Sequence, residues 1–179
     1  MGLDLVLAIG GGAGRLSQSA IVLAITKEGR YSETITKWLT AARERLDPKT
    51  GLLPHTASLP DGRRVGVTRA TSQGIILRLL PDIDPEFAKA QYELFRTRFL
   101  TTFAGAPCVL EYPSGVSGSG DVDSGPLIFG RSLSGTVMMI AVAQIYGDQS
   151  LANAITQAGE TVGLPWTSSG QKNQAPAHK

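Results

Sequence analysis

Three carboxylates fall where acid–base chemistry would want them: Glu111 in Glu111-Tyr112-Pro113, and Asp121 and Asp123 in Asp121-Val122-Asp123-Ser124-Gly125. Two carboxyl groups in one partly buried site push each other's proton affinities apart, so one can hold a proton while the other accepts one. Glu111 follows the apolar pair Val109-Leu110, which suits a buried general acid; in an exposed loop it would merely be solvated. Two other chemistries fail for the aspartate string. A calcium loop needs a glutamate at its twelfth position, which here is Ser132. A phosphatase-type aspartate nucleophile would follow a hydrophobic strand, whereas Ser117-Gly118-Ser119-Gly120 precedes. A purely structural role stays open, with Asp123 or Ser124 capping a helix entered at Pro126.

Other reactive residues are few. His55, in Leu52-Leu53-Pro54-His55, is one of two histidines, the other being His178 near the chain end. It is either a surface residue or a group that titrates near neutrality at a site. Arg69, in Arg69-Ala70-Thr71-Ser72, stands at the mouth of an apolar helix, where it could pair with Glu111 or an aspartate or hold a substrate oxygen. Cys108 is the single cysteine, which excludes an internal disulfide and a multi-cysteine metal centre. With no basic neighbour in sequence it reads as an inert small hydrophobe. The string Gly10-Gly11-Gly12-Ala13-Gly14 follows an apolar run, yet the dinucleotide spacing G-x-G-x-x-G would need glycine where Arg15 stands. Helix termination or a tight bend is the better reading, and no metal or cofactor is expected.

The elements that must position these residues read as helical. Ile35, Trp38, Leu39, Ala42 and Leu46 form one amphipathic stripe, stopped by Asp47-Pro48. After a loop over Lys49 to Gly66, a helix from near Thr71 buries Ile75, Ile76, Leu79 and Leu80 and ends before Pro81. Asp84, Pro85 and Glu86 are a strong helix start, followed by the stripe Ala88, Tyr92, Phe95, Phe99 and Phe103. A glycine-rich loop, Gly105 to Gly125, should lead to a helix from Pro126 to about Tyr146. Asp148 then caps a last helix with Leu151, Ala154, Ile155, Ala158 and Val162 on one side. With the apolar segment Leu16 to Ile25 the expectation is an all-α fold of six helices in three antiparallel pairs. Only Leu3-Asp4-Leu5-Val6 hints at a strand.

The 179 residues suit one domain, and 42% hydrophobic content supplies a real core. Net charge is +2 with scattered basic residues, so a nucleic-acid groove is set aside. Leu127 to Tyr146 has the length of a membrane span, but Gly130, Arg131, Ser132, Ser134, Gly135, Thr136 and Gln144 dilute it. It is read as a buried helix of a soluble chain. The start carries Asp4 and no basic residue before Arg15, the reverse of a secretory signal. A cytoplasmic domain over residues 1–166 and a disordered tail over 167–179 are expected.

In order and spacing, six strings together resemble one family. They are Trp38-Leu39-Thr40-Ala41-Ala42, Thr50-Gly51-Leu52-Leu53-Pro54-His55, Arg69-Ala70-Thr71-Ser72, Asp84-Pro85-Glu86-Phe87-Ala88, Glu111-Tyr112-Pro113 and Gly120-Asp121-Val122-Asp123-Ser124-Gly125-Pro126. The chain is similar to the C-terminal part of the linalool dehydratase/isomerase-like domain, an (α/α) toroid of six helical hairpins. That resemblance implies a cofactor-independent lyase or isomerase acting on a small apolar alcohol or alkene, as in the reversible dehydration of linalool and its isomerisation to geraniol. It also implies acid–base side chains in an apolar pocket between protomers. Six helices would make half of such a ring, so the chain is expected as a fragment, or as a subunit completed by its own copy or a partner chain.

The expected catalytic residues are Glu111 and Asp121 as the acid–base pair, with Asp123 orienting them; His55, Arg69 and Tyr112 are expected to bind substrate. Two alternatives remain. A carbohydrate-active toroid enzyme also uses paired carboxylates but wants aromatic platforms, for which Tyr112 is the one candidate in that loop. A truncated, non-catalytic helical domain would instead bind a partner through its exposed inner face.

Overall fold

A computed structural model describes residues 32–58, 64–161, 166–168 and 171–173 of the chain. The Gly10-to-Gly14 string, the Leu3-to-Val6 hint of a strand and the Leu16-to-Ile25 helix lie outside the described residues. So do Val162 and most of the expected tail, within which Trp166–Ser168 and Gln171–Asn173 pair antiparallel.

Among the described residues the chain forms five α-helices: α1 (Ser32–Glu44), α2 (Ala70–Leu79), α3 (Pro85–Phe99), α4 (Leu133–Ile145) and α5 (Gln149–Thr161). A 3-10 turn over Leu80–Asp82 joins α2 to α3. The all-α expectation is wrong. Strands β3 (Leu100–Phe103), β4 (Ala106–Leu110) and β5 (Arg131–Ser132) form an antiparallel sheet in that order. A smaller pair, β1 (Thr56–Ala57) and β2 (Arg64–Val65), lies earlier, and the pair near the chain end gives β6 and β7. The fold is mixed α and β, mostly helical.

The physical reason for the miss lies at Phe99. The apolar spacing that builds α3 runs on to Phe103, but the backbone becomes extended at Leu100, and Phe103 ends in a strand with 45% of its surface exposed. Thr101 and Thr102 are β-branched, which suits strand over helix. Ala104 and Gly105 then take φ of 49° and 83°, a two-residue turn whose twist matches its flanking strands. The register follows: Phe103 opposite Ala106, Leu100 opposite Val109. The expected glycine-rich loop from Gly105 therefore begins with a hairpin.

The helix expected at Pro126 starts seven residues later. Arg131 and Ser132 are taken into the sheet opposite Leu110 and Val109. Ser132 then caps α4, its Oγ accepting from the Gly135 amide at 3.0 Å. Other termini fall as expected: Asp84 accepts from the Phe87 amide at 2.9 Å, and Asp148 from the Leu151 amide at 3.2 Å.

The core has two parts. Tyr92, Phe95 and Phe99 of α3 meet Val109, Met139, Val142, Leu151 and Ile155 in one, with Leu52 and Leu77. Burying each large side chain there contributes on the order of 2–3 kcal/mol. In the other, Trp38, Leu39, Ala42 and Leu46 lean on Leu53, Ile76, Leu80, Phe87 and Ala88. Stacked rings of Tyr92 and Tyr146, 4.3 Å between centroids, join α3 to the end of α4.

Between α1 and α2 the chain is anchored by buried polar groups. Asp47, 1% exposed, accepts from the Lys49 amide at 2.8 Å and from Thr68 Oγ1 at 3.2 Å. Gln91 of α3 and Gln73 of α2 grip the backbone of Leu53 from both sides, at 3.1 Å to its amide and 2.6 Å to its carbonyl. This clamp sets the place of His55, two residues on.

Candidate functional site

The site gathers around Arg69, whose extended backbone (φ −126°, ψ 144°) lies just ahead of α2. Its guanidinium, 11% exposed, donates through Nε to Glu111 Oε1 at 2.9 Å. A second donation runs from Nη1 to Asp121 Oδ2, and a third from Nη2 to Ser124 Oγ at 3.4 Å. It also lies 5.3 Å from the centroid of the Tyr112 ring. One fork of donors thus joins residues that stand far apart in sequence.

Glu111 follows β4 and is fully buried. Its main chain is fixed at both ends, the carbonyl accepting from the Ala70 amide and its own amide donating to the Gly130 carbonyl, each at 2.9 Å. Oε1 takes a second donor, Thr71 Oγ1, at 2.8 Å. Oε2 is buried too, and among the described residues no donor reaches it. A carboxylate oxygen so placed is costly unless something else completes it.

Asp121 is 41% exposed at its side chain and organises its own loop. Oδ1 accepts from the Asp123 amide at 3.1 Å and the Ser124 amide at 3.0 Å. Partial burial disfavours its charge, but the Arg69 hydrogen bond and charge, with the Ser124 amide, outweigh this and hold the carboxyl down to about 2. It is an anion at neutral pH. For Arg69, desolvation is outweighed by bonds to the two carboxylates, and its pKa is raised.

Tyr112 directs its hydroxyl to the Ser119 carbonyl at 2.9 Å, folding the glycine-rich segment under its ring. A Cβ on Gly118 would overlap that ring, so the close approach requires glycine. His55 is bonded to Ser72 through Nδ1 rather than to the arginine cluster. Burial first, and the Arg69 charge second, push its pKa down against the pull of Asp121, Glu111 and Asp123, so its imidazole is neutral at pH 7.

The structure therefore brings Arg69, Glu111, Asp121 and Tyr112 into one contact cluster and sets His55 beside it. Asp123 is exposed, and it bonds through its backbone: its amide to Asp121 at 3.1 Å and its carbonyl to Ser134 Oγ at 2.9 Å. Neither it nor Ser124 caps a helix at Pro126. Thr71 and Ser72 join the site without having been singled out from the sequence, and Ser124, expected only as a helix cap, bonds Arg69 and Asp121. A signal existed: Ser72 is one helical turn beyond Arg69, and Ser124 has the local spacing by which an aspartate gathers nearby amides. Cys108 sits away from this cluster on β4, opposite Thr101, and burial raises its pKa against the opposing pull of Arg131. Among the described residues no group of three or more histidine, cysteine, aspartate or glutamate side chains is placed to hold a metal. No helix among them is long and apolar enough to cross a membrane.

No protein-family model matches this chain, and no curated protein matches it either.

Proposed function

We propose that this chain acts as a cofactor-independent lyase or isomerase on a small, largely apolar alcohol, with Glu111 and Asp121 handling the protons. The observation that carries the reading is Glu111 Oε2, buried and, among the described residues, without a donor beside a doubly bonded Oε1. One guanidinium faces two carboxylates, so the cluster has an excess negative charge when both are ionised. Loss of water from an alcohol needs a proton given to the departing oxygen and one taken from a neighbouring carbon. Glu111 gives the first through Oε2. Asp121 takes the second; a carboxylate held near 2 is a weak base, and a carbon next to a developing cation needs no more. The substrate class rests on the resemblance of the Glu-Tyr-Pro and Asp-Val-Asp-Ser-Gly-Pro strings described above. A sugar platform finds less support, because the Tyr112 ring already packs against Arg69 and Gly118.

The test is turnover of tertiary and allylic alcohols of terpenoid size by the full chain, followed by gas chromatography, with oligosaccharides as the counter-arm. Glu111→Gln and Asp121→Asn should each lower the rate at least ~100-fold, the usual worth of a positioned acid or base. Unchanged rates in both variants, or no alcohol turned over by the unaltered chain, would refute the proposal.

A second reading, a domain completed by another copy of itself, is favoured by α4. Leu133, Val137 and Ile145 lie on one side of that helix and are 52%, 52% and 40% exposed. The helix carries no charged residue, so this face can meet its own copy without opposing like charges. Sedimentation that stays monomeric at every concentration would dismiss it.

A further inference from the structure

Ser72 is a buried hydroxyl of the site that bonds neither Glu111 nor Asp121. It is 6% exposed, sits in the first turn of α2, and is hydrogen-bonded to His55 Nδ1. Buried hydroxyls direct their proton at an acceptor. Among the described residues the only side-chain or backbone partner of Ser72 Oγ is that ring nitrogen. A neutral imidazole carries one proton, so an accepting Nδ1 places it on Nε2. Nε2 has no hydrogen-bond partner among the described residues, and the charges that bear on the ring are those of Arg69, Asp121, Glu111 and Asp123. The second nitrogen of His55 is therefore free, on a ring tied to the helix turn that Arg69 precedes.

We propose that Ser72 is a positioning residue: its hydroxyl donates to His55 Nδ1 and holds the imidazole in the Nε2–H tautomer, ready to hydrogen-bond the oxygen of a bound alcohol. The alcohol in this statement rests on the function proposed above; the tautomer does not. A ring free to take either tautomer would spend part of its time presenting a bare nitrogen, which can only accept the alcohol's own O–H and gives the departing oxygen no donor. Ser72 thus acts on substrate through His55 and touches no reacting atom itself.

The experiment is a two-bond proton–nitrogen correlation spectrum of the histidine rings in the nitrogen-15-labelled full chain at pH 7.5. A His178→Gln variant assigns the His55 signals. His55 in the unaltered chain is expected with Nε2 protonated and Nδ1 bare. Ser72→Ala should give a mixture of the two tautomers, and Ser72→Thr, which keeps the hydroxyl, should restore one. With alcohol substrates, Ser72→Ala should lower kcat about tenfold, as the loss of a supporting bond behind a functional histidine typically does, while KM changes little. A proton found on Nδ1 in the unaltered chain, or a tautomer untouched by Ser72→Ala, overturns the proposal. The spectrum needs no substrate, so a chain that turns over no alcohol defeats the proposed function while the assignment of Ser72 still stands or falls on the tautomer.

Discussion

Arg69 satisfies Glu111 and Asp121 with a single charge, and each of those bonds is charge-assisted. Its removal would leave the fully buried Glu111 carboxyl short of a donor and the Asp121 anion without its ion partner. Arg69→Met is therefore expected to cost about 3–5 kcal/mol, read as a lower midpoint in chemical denaturation. A cost under ~1 kcal/mol, the worth of a surface pair, would refute this account. Arg69→Lys should not rescue, because an ammonium cannot present three donors in a fixed fork. Asp121 supplies a separate, pH-dependent part. Its carboxyl lies at about 2 in the folded chain against an ordinary 3.8, so the unfolded chain takes up the proton first. The stability it contributes is complete above about pH 4 and fades as pH falls toward 2. The exposed side chain makes the amplitude modest and sensitive to salt. Thermal unfolding across this range should slope for the unaltered chain and flatten for Asp121→Asn; parallel curves would contradict the assignment. His55 has a window of its own. Its folded form releases the proton more readily than its ordinary value of 6.5, so stability also declines as pH drops below about 6.5.

At the scale of elements, the β3–β4 hairpin carries a local cost. Ala104 is held at φ 49°, a conformation that disfavours any residue with a Cβ. Ala104→Gly should remove roughly 1 kcal/mol of strain and raise the melting temperature; a lower one would mean that the methyl group matters more than the backbone. The same hairpin explains what the sequence hid. The start of α3 was legible because Asp84 and Pro85 act within one turn of where they stand, and so was the cap at Asp148. The end of α3 was not, because Phe103 continues the apolar spacing while the backbone has already turned extended. Ser132 was passed over as a cap because its helix begins only after two residues pair with β4, a long-range event without a local mark. In the site, Glu111, Arg69 and Asp121 were readable from residue type and neighbours. Their meeting through one guanidinium, and the pairing of His55 with Ser72, depend on contacts between distant segments.

At the scale of the molecule, α4 packs against α2, α5 and β4 yet leaves Leu133, Val137 and Ile145 in solvent. If a second copy covers that face, Val137→Glu should shift sedimentation toward the monomer with the helical signal unchanged, since the residue is half exposed; an assembly insensitive to this charge would have to form elsewhere. The hydrogen bonds of Glu111 bear on how the molecule can open. Its carbonyl holds the first amide of α2 and its amide holds the carbonyl of Gly130, like a rivet through two plates. The mouth of α2 and the turn before β5 are thereby pinned to one residue, so neither can draw away from Glu111 without breaking a main-chain bond.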